Sequence, residues 1–178
     1  MARSRAAPDE CVADRPPLSA DEMLRRLVAR GVDFVVIGGI AAVLHGSARN
    51  TFDLDICFAN DTGNLSALGD VLTAVGARLK GVDEELPFVA DARTLRQVEL
   101  LTLVTTLGEL DLLSRPAGAP GYPELRRRAD RYDLGGFNVS VASIDDLIAM
   151  KQAAGRPKDL LDVDELEAIK RLRHRQRP

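Results

Sequence analysis

VIGGIAAVLHGSARNTFDLDI, residues 36–56, is the stretch on which both the fold and the chemistry turn. Its first residues close a continuous β-branched and aromatic run, VDFVVIGG (32–39), which predicts a buried strand ending at Gly38 and Gly39. IAAVLHG (40–46) predicts a short apolar helix, and LDICFA (54–59) a second buried strand. The paired glycines thus stand where a strand gives way to a helix. Bare backbone N–H groups and a positive helix end there make an anion site able to hold a triphosphate. A tight turn that needs glycine only for its backbone is the competing reading. The G-x-G-x-x-G spacing of a dinucleotide site is absent, and no acidic residue closes a following strand in the Rossmann manner.

Asp53 and Asp55 are two apart on the second strand, so both carboxylates point to one face while Leu54 and Ile56 take the other. Like charges side by side cost stability unless something positive lies between them. A hard divalent cation with oxygen ligands, Mg²⁺ or Mn²⁺, is the natural partner, and it would also touch substrate phosphates. A pair of solvated aspartates at a strand end is the bland alternative. Two-metal sites usually draw a third carboxylate from a neighbouring strand. Alternation in GELDLLS (108–114) puts Glu109, Asp111 and Leu113 on one face, making Asp111 the candidate and Glu109 its competitor.

Outward from this segment, the chain reads as one compact unit. Its 178 residues are 46% hydrophobic and 29% charged, with a net charge of −3, which excludes wholesale disorder and coating of nucleic acid by bulk charge. Residues 1–17, with Pro8, Pro16 and Pro17, predict a flexible N-terminal arm, and residues 18–178 a single domain. No apolar run approaches a membrane span, and MARSRAAPDE lacks a signal-peptide core. Cys11 and Cys57 form no disulfide framework, so the expected location is the cytoplasm. LSADEMLRRLVARG (18–31) predicts a helix with a Ser19–Glu22 capping box, and Leu65 to Ala77 an amphipathic helix. Residues 82–96 carry no readable pattern. VELLTLVTT (98–106) and GELDLLS predict a hairpin at Gly108, and a short helix is expected near 124–128. GGFNVSVA (135–142) predicts a strand, SIDDLIAMKQAAG (143–155) a helix capped by Ser143, and Pro157 opens a last helix to about Arg173. The order predicts an α+β fold, a small mixed β-sheet with helices on one face.

The 36–56 segment resembles the nucleotidyltransferase signature, a Gly-Gly turn, a spacer of about ten residues, then D-h-D-h. Its elaborated form, carried by Gly38, Gly39, Ala41, His45, Gly46, Arg49, Thr51, Asp53, Leu54, Asp55 and Ile56, resembles the MNT and AbiEii/MenT-type nucleotidyltransferases, known chiefly from toxin–antitoxin pairs. The resemblance implies a polymerase-β-like nucleotidyltransferase fold with C-terminal helices. It implies that Gly38 and Gly39, with Ser47, Arg49 and Thr51, bind nucleotide, and that Asp53, Asp55 and Asp111 hold Mg²⁺ or Mn²⁺. A second block, VASIDDLIAMKQAAGRPKDLLDVDEL (141–166), resembles the family's C-terminal pattern. There Lys151 is expected to be catalytic and to bind nucleotide, beside Arg156, Lys158 and Asp159. Either Asp159 or Asp162 would orient Lys151, with Asp159 favoured. His45 is expected to be a packed histidine. Thr51, by the resemblance, offers a hydroxyl to metal-bound phosphate or a phosphorylation switch.

The resemblance further implies transfer of a nucleoside monophosphate from an NTP to an acceptor with release of pyrophosphate. The acceptor would be the tRNA 3′ end, as in a translation-blocking toxin countered by a cognate antitoxin protein. Two alternatives stand beside it: transfer of AMP to a protein hydroxyl, as by MNT antitoxins, and a catalytically silent nucleotide- or partner-binding module. The tail KRLRHRQRP (170–178), with Arg126, Arg127 and Arg128, is either a solvated set of helix ends or a track for tRNA phosphates.

Overall fold

In the computed structural model, residues 16–82 and 88–176 are described. Most of the predicted N-terminal arm, with Cys11, lies outside them. The chain order is α1 (Ala20–Ala29), β1 (Phe34–Ile37), α2 (Gly38–His45), β2 (Asp53–Phe58), α3 (Thr62–Ala74), β3 (Arg78–Leu79), α4 (Ala92–Arg96), β4 (Leu100–Thr105), β5 (Gly108–Leu113), α5 (Tyr122–Arg128), β6 (Asp130–Asp133), β7 (Asn138–Val141), α6 (Ile144–Ala154) and α7 (Pro157–Gln176). The strands form one sheet in the order β3-β4-β5-β2-β1-β7-β6. It is mixed, as expected: β1 runs antiparallel to β2, while β1–β7 and β2–β5 are parallel.

The two β-branched, aromatic runs take the middle of the sheet because only there are both faces covered. All four residues of β1 are buried, so the centre is sheltered on both sides and not by helices on one face alone. In β2 the alternation is split. Leu54 and Ile56 are fully buried, a burial worth about 1.5–3 kcal/mol each, while Asp53 and Asp55 keep partial access to solvent. One hydrophobic cluster joins helices and sheet through Leu24, Leu27, Leu68, Leu72, Leu125 and Leu147.

Several local expectations change. Ser19 is the N-cap of α1 but its side chain makes no cap bond. Its backbone N–H is bound to the Leu107 carbonyl, and Glu22 pairs with Arg26 at 2.7 Å, so the reciprocal capping box does not form. The helix expected from Leu65 begins at Thr62, because Asp61 accepts from the Asn64 N–H. Asn64 then bonds the Asp33 and Ala59 carbonyls, fastening the start of α3 to the ends of β1 and β2. Ser143 caps α6 as predicted, accepting from Asp146 N at 3.2 Å. The unread stretch contributes α4, and two further strands, β3 and β6, line the sheet edges.

Candidate active site

The register of the central strands brings the acids together. Asp55 lies opposite Asp111, and Asp53 opposite Glu109, across the parallel β2–β5 pair. The structure thus places Asp111 next to Asp55. Glu109 is drawn away instead: its Oε2 accepts from Lys80 Nζ at 2.7 Å. Thr51 donates to Asp53 Oδ1 at 2.9 Å, which orients that carboxylate.

The glycines are needed for space. Gly38 has φ +64, a region that disfavours side chains, and a Cβ there would fall on the Asp55 carboxylate. A Cβ on Gly39 would collide with the Thr51 hydroxyl. The Gly39 backbone N–H favours the ionised form of the Asp55 carboxyl, so the turn and this acid act on one another. Burial and the neighbouring charges of Asp53 and Asp111 push the Asp55 pKa up to about 7. Asp111 is shifted up as well, first by burial, against a Thr102 hydrogen bond that favours its ionised form.

These residues fit a hard divalent cation. The donors are all carboxylate oxygens, Asp111 Oδ1 is buried without a hydrogen-bond partner, and Asp55 resists ionisation where positive charge is short. Among the described residues no three His, Cys, Asp or Glu side chains converge into an ion-binding cluster by themselves. Mg²⁺ sites with one or two carboxylates plus substrate phosphates do not require one.

Across the cleft stand the C-terminal helices. Lys151 Nζ donates to Asp162 Oδ2 at 2.6 Å and lies 3.6 Å from Asp159 Oδ1. Asp162 is thus its nearer partner, with Asp159 also within ion-pair reach. Asp159 is fully buried and committed to Arg156, whose backbone N–H and Nε reach its Oδ2 at 3.2 and 2.6 Å. That hydrogen bonding holds the Asp159 carboxyl below its usual value. Burial lowers the Lys151 pKa, with Asp159 opposing. Arg49 pairs with Asp162 as well and touches the Lys158 carbonyl at 3.4 Å. Ser47 donates to Glu165 Oε2 at 2.9 Å, and Ala48 N–H to Oε1 at 3.1 Å.

Together they enclose a cavity of about 670 Å³ lined by Gly38, Gly39, Ser47, Arg49, Thr51, Asp53, Asp55, Asp111, Lys151, Arg156 and Lys158. The fully buried Asp159 lies behind Lys151 and Arg156. Sequence reasoning missed Lys80 and Glu165, which also line it. Glu165 could have been found from its helical spacing, since Asp159, Asp162 and Glu165 recur every three residues.

His45 is a packed residue, as expected. Its Nε2 is 2.8 Å from the Ala142 carbonyl and its Nδ1 2.9 Å from the Tyr132 hydroxyl, and burial lowers its pKa. Arg173 donates to Tyr132 Oη at 2.8 Å and to the His45 carbonyl at 3.3 Å. Several basic side chains of the 126–128 and 170–178 stretches are paired within the chain. Besides Arg173, Arg126 pairs with Asp33, Arg127 and Arg128 with Glu124, and Lys170 with Asp145.

The family model described as "Nucleotidyl transferase AbiEii toxin, Type IV TA system" matches residues 22–175. The chain belongs to this nucleotidyltransferase toxin family. The family's activity is nucleotidyl transfer from an NTP, and its toxin–antitoxin description implies an antitoxin counterpart. Solved structures give the same fold. The lincosamide antibiotic adenylyltransferase LnuA, solved with lincomycin bound, superposes with a TM-score of 0.58 at 17% identity, covering 86% of this chain and 99% of that one. An antigenic nucleotidyltransferase-like protein from Paracoccidioides brasiliensis gives 0.53 at 20% identity, covering 88% and 78%. ANT(2″)-Ia in complex with adenylyl-2″-tobramycin gives 0.50 at 17% identity, covering 87% and 95%. No curated protein matches the chain by sequence. Among the described residues no helix is long and apolar enough to cross a membrane.

Proposed function

We propose that this AbiEii-family enzyme transfers a nucleoside monophosphate from an NTP to the 3′-hydroxyl of tRNA, in a reaction that requires Mg²⁺ or Mn²⁺. The observation that carries the reading is the register pairing of Asp55 with Asp111 beneath the Gly38–Gly39 turn. Asp53, Asp55 and Asp111 would hold the cation, which supplies charge neutralisation to the phosphates and acidity to the attacking hydroxyl.

The backbone at the start of α2 and the Lys151 ammonium bind the triphosphate, with Arg49, Arg156 and Lys158 around them. The acceptor oxygen attacks the α-phosphorus in line. A new P–O bond forms, the bond from that phosphorus to the α–β bridging oxygen breaks, and pyrophosphate leaves with the bridging oxygen. The hydroxyl proton passes to Asp111, whose buried Oδ1 has no hydrogen-bond partner and is open to take it. Asp162 aims Lys151, and the charge of Asp159 beside it helps keep the ammonium protonated despite its burial. The expected location of this activity is the cytoplasm, where NTP and tRNA are both present.

The test is incubation of the purified protein with each α-labelled NTP in turn, Mg²⁺ and total RNA, followed by gel separation. Label on tRNA-sized bands supports the reading. Label on protein alone replaces the acceptor with a protein hydroxyl. Absence of label from every band, under conditions where a control transferase is active, refutes transfer to either.

A further inference from the structure

Five cations line the cavity among the described residues: Arg49, Lys80, Lys151, Arg156 and Lys158. Four of them come from the loop after α2 and from the C-terminal helices. Lys80 alone comes from the opposite side, at the end of β3. In the sheet order β3-β4-β5-β2-β1, the acidic strand β2 stands between the Gly38–Gly39 turn and the β5–β3 side. In-line displacement puts leaving pyrophosphate and attacking hydroxyl on opposite sides of the reacting phosphorus. With the triphosphate over the start of α2, the acceptor therefore enters over β5, past Asp111, where Lys80 waits.

We propose that Lys80 is the acceptor-side cation, binding a backbone phosphate of a nucleic-acid acceptor next to the reacting hydroxyl. The inference rests on the reading of the acceptor as RNA. The Lys80 backbone N–H is fixed to the Thr102 carbonyl at 3.0 Å, so the residue continues the β3–β4 ladder into the cavity. Its ammonium has three donors, and Glu109 Oε2 takes one at 2.7 Å. The Glu109 side chain is only 8% exposed and that of Lys80 36%, so the pair presents its positive end to the cavity. Glu109 sits opposite Asp53 in register and two residues before Asp111 on β5, and so sets the ammonium beside the acids. A protein or antibiotic hydroxyl would bring no backbone phosphate to this place.

The experiment compares wild type, Lys80→Gln, Lys80→Arg and the double variant Lys80→Gln/Glu109→Gln, with total tRNA as acceptor and KM measured separately for tRNA and for NTP. Lys80→Gln is expected to raise the KM for tRNA about tenfold, and Lys80→Arg to recover most of that loss. Replotting kcat/KM for tRNA against salt should give a log–log slope shallower by roughly 0.7 to 0.9 in Lys80→Gln, one phosphate contact's worth. The double variant, which removes the Glu109 charge together with that of Lys80, should show the same tRNA KM and slope. A loss confined to kcat or to the KM for NTP would make Lys80 a mere support of the neighbouring acids and overturn the proposal. So would an unchanged salt slope. If wild type labels no RNA at all, the RNA reading fails with it; if wild type labels RNA and the variants match it, only the role of Lys80 falls.

Discussion

The two walls of the cleft are built by different means. On the acid wall, strand register alone sets Asp55 beside Asp111 and Asp53 beside Glu109. On the phosphate wall, side chains do the work across long stretches of sequence: Glu165 holds Ser47 and Ala48, and Asp162 holds both Arg49 and Lys151. The acid wall accepts repulsion that the backbone ladder contains, and the phosphate wall consists of satisfied ion pairs. A change to an acid on β2 or β5 should therefore strike chemistry and spare the fold. A change on α7 should strike substrate binding and stability together.

The largest effect that sharpens this contrast is on the acids. Asp53→Asn or Asp55→Asn should lower kcat by about a thousandfold or more, a loss of about 4 kcal/mol in transition-state stabilisation. Thermal melting of the metal-free variants should match or exceed wild type, because a buried like-charge contact is relieved. A substantial fall in melting temperature would erase the distinction between the walls. Next in size is Gly38→Ala, where the added methyl meets the Asp55 carboxylate and φ is positive. It should cost about 1–3 kcal/mol in urea unfolding and cut turnover by about a hundredfold, equivalent to about 2.7 kcal/mol. Wild-type turnover would show that the turn has room to move.

Asp162→Asn and Asp159→Asn separate the two functions of the phosphate wall. Asp162→Asn frees Lys151 and Arg49 and should raise the KM for NTP about tenfold. Asp159→Asn leaves Arg156 with a neutral partner at a fully buried position and should cost about 1–3 kcal/mol of stability, with the smaller effect on KM. If the two variants change KM equally, Asp159 shares the aiming of Lys151.

The smallest effect is a pH dependence of the metal-free protein. Asp55 keeps its proton in the folded state up to about 7, whereas an unfolded chain releases it near the ordinary carboxyl value of 3.8. The stabilisation is fully present below the unfolded value and is lost as pH rises through about 7. Melting temperature should decline from pH 5 to pH 8, by more in wild type than in Asp55→Asn, and Mg²⁺ should counter the decline by favouring the ionised form. A melting profile that Asp55→Asn leaves unaltered would show that Asp55 titrates alike folded and unfolded.

Most of the acid wall was legible before the fold was known. Period-two alternation puts Asp53 with Asp55 and Glu109 with Asp111, and only the pairing partner of each strand had to be supplied by the structure. Lys80 was not legible, because β3 has two residues and no alternation to reveal it. Asp162 and Asp159 were both visible as acids one turn apart, but which one meets Lys151 depends on rotamers across two packed helices. The capping box at Ser19 failed for one local and one tertiary reason: Arg26, one turn on, took the Glu22 carboxylate, and the distant Leu107 carbonyl took the Ser19 N–H.

The ties of the loop after α2 span 118 residues from Ser47 to Glu165 and 109 from Arg49 to Lys158. Synthesis runs from the N-terminus, so the signature segment is made long before the helix that completes its cleft. A partly made chain carries the whole Gly-Gly and Asp-x-Asp motif but neither Lys151 nor the carboxylates that aim it. For an enzyme of a toxin family this is a form of timing: the growing chain holds only one side of its cleft until α7 has docked.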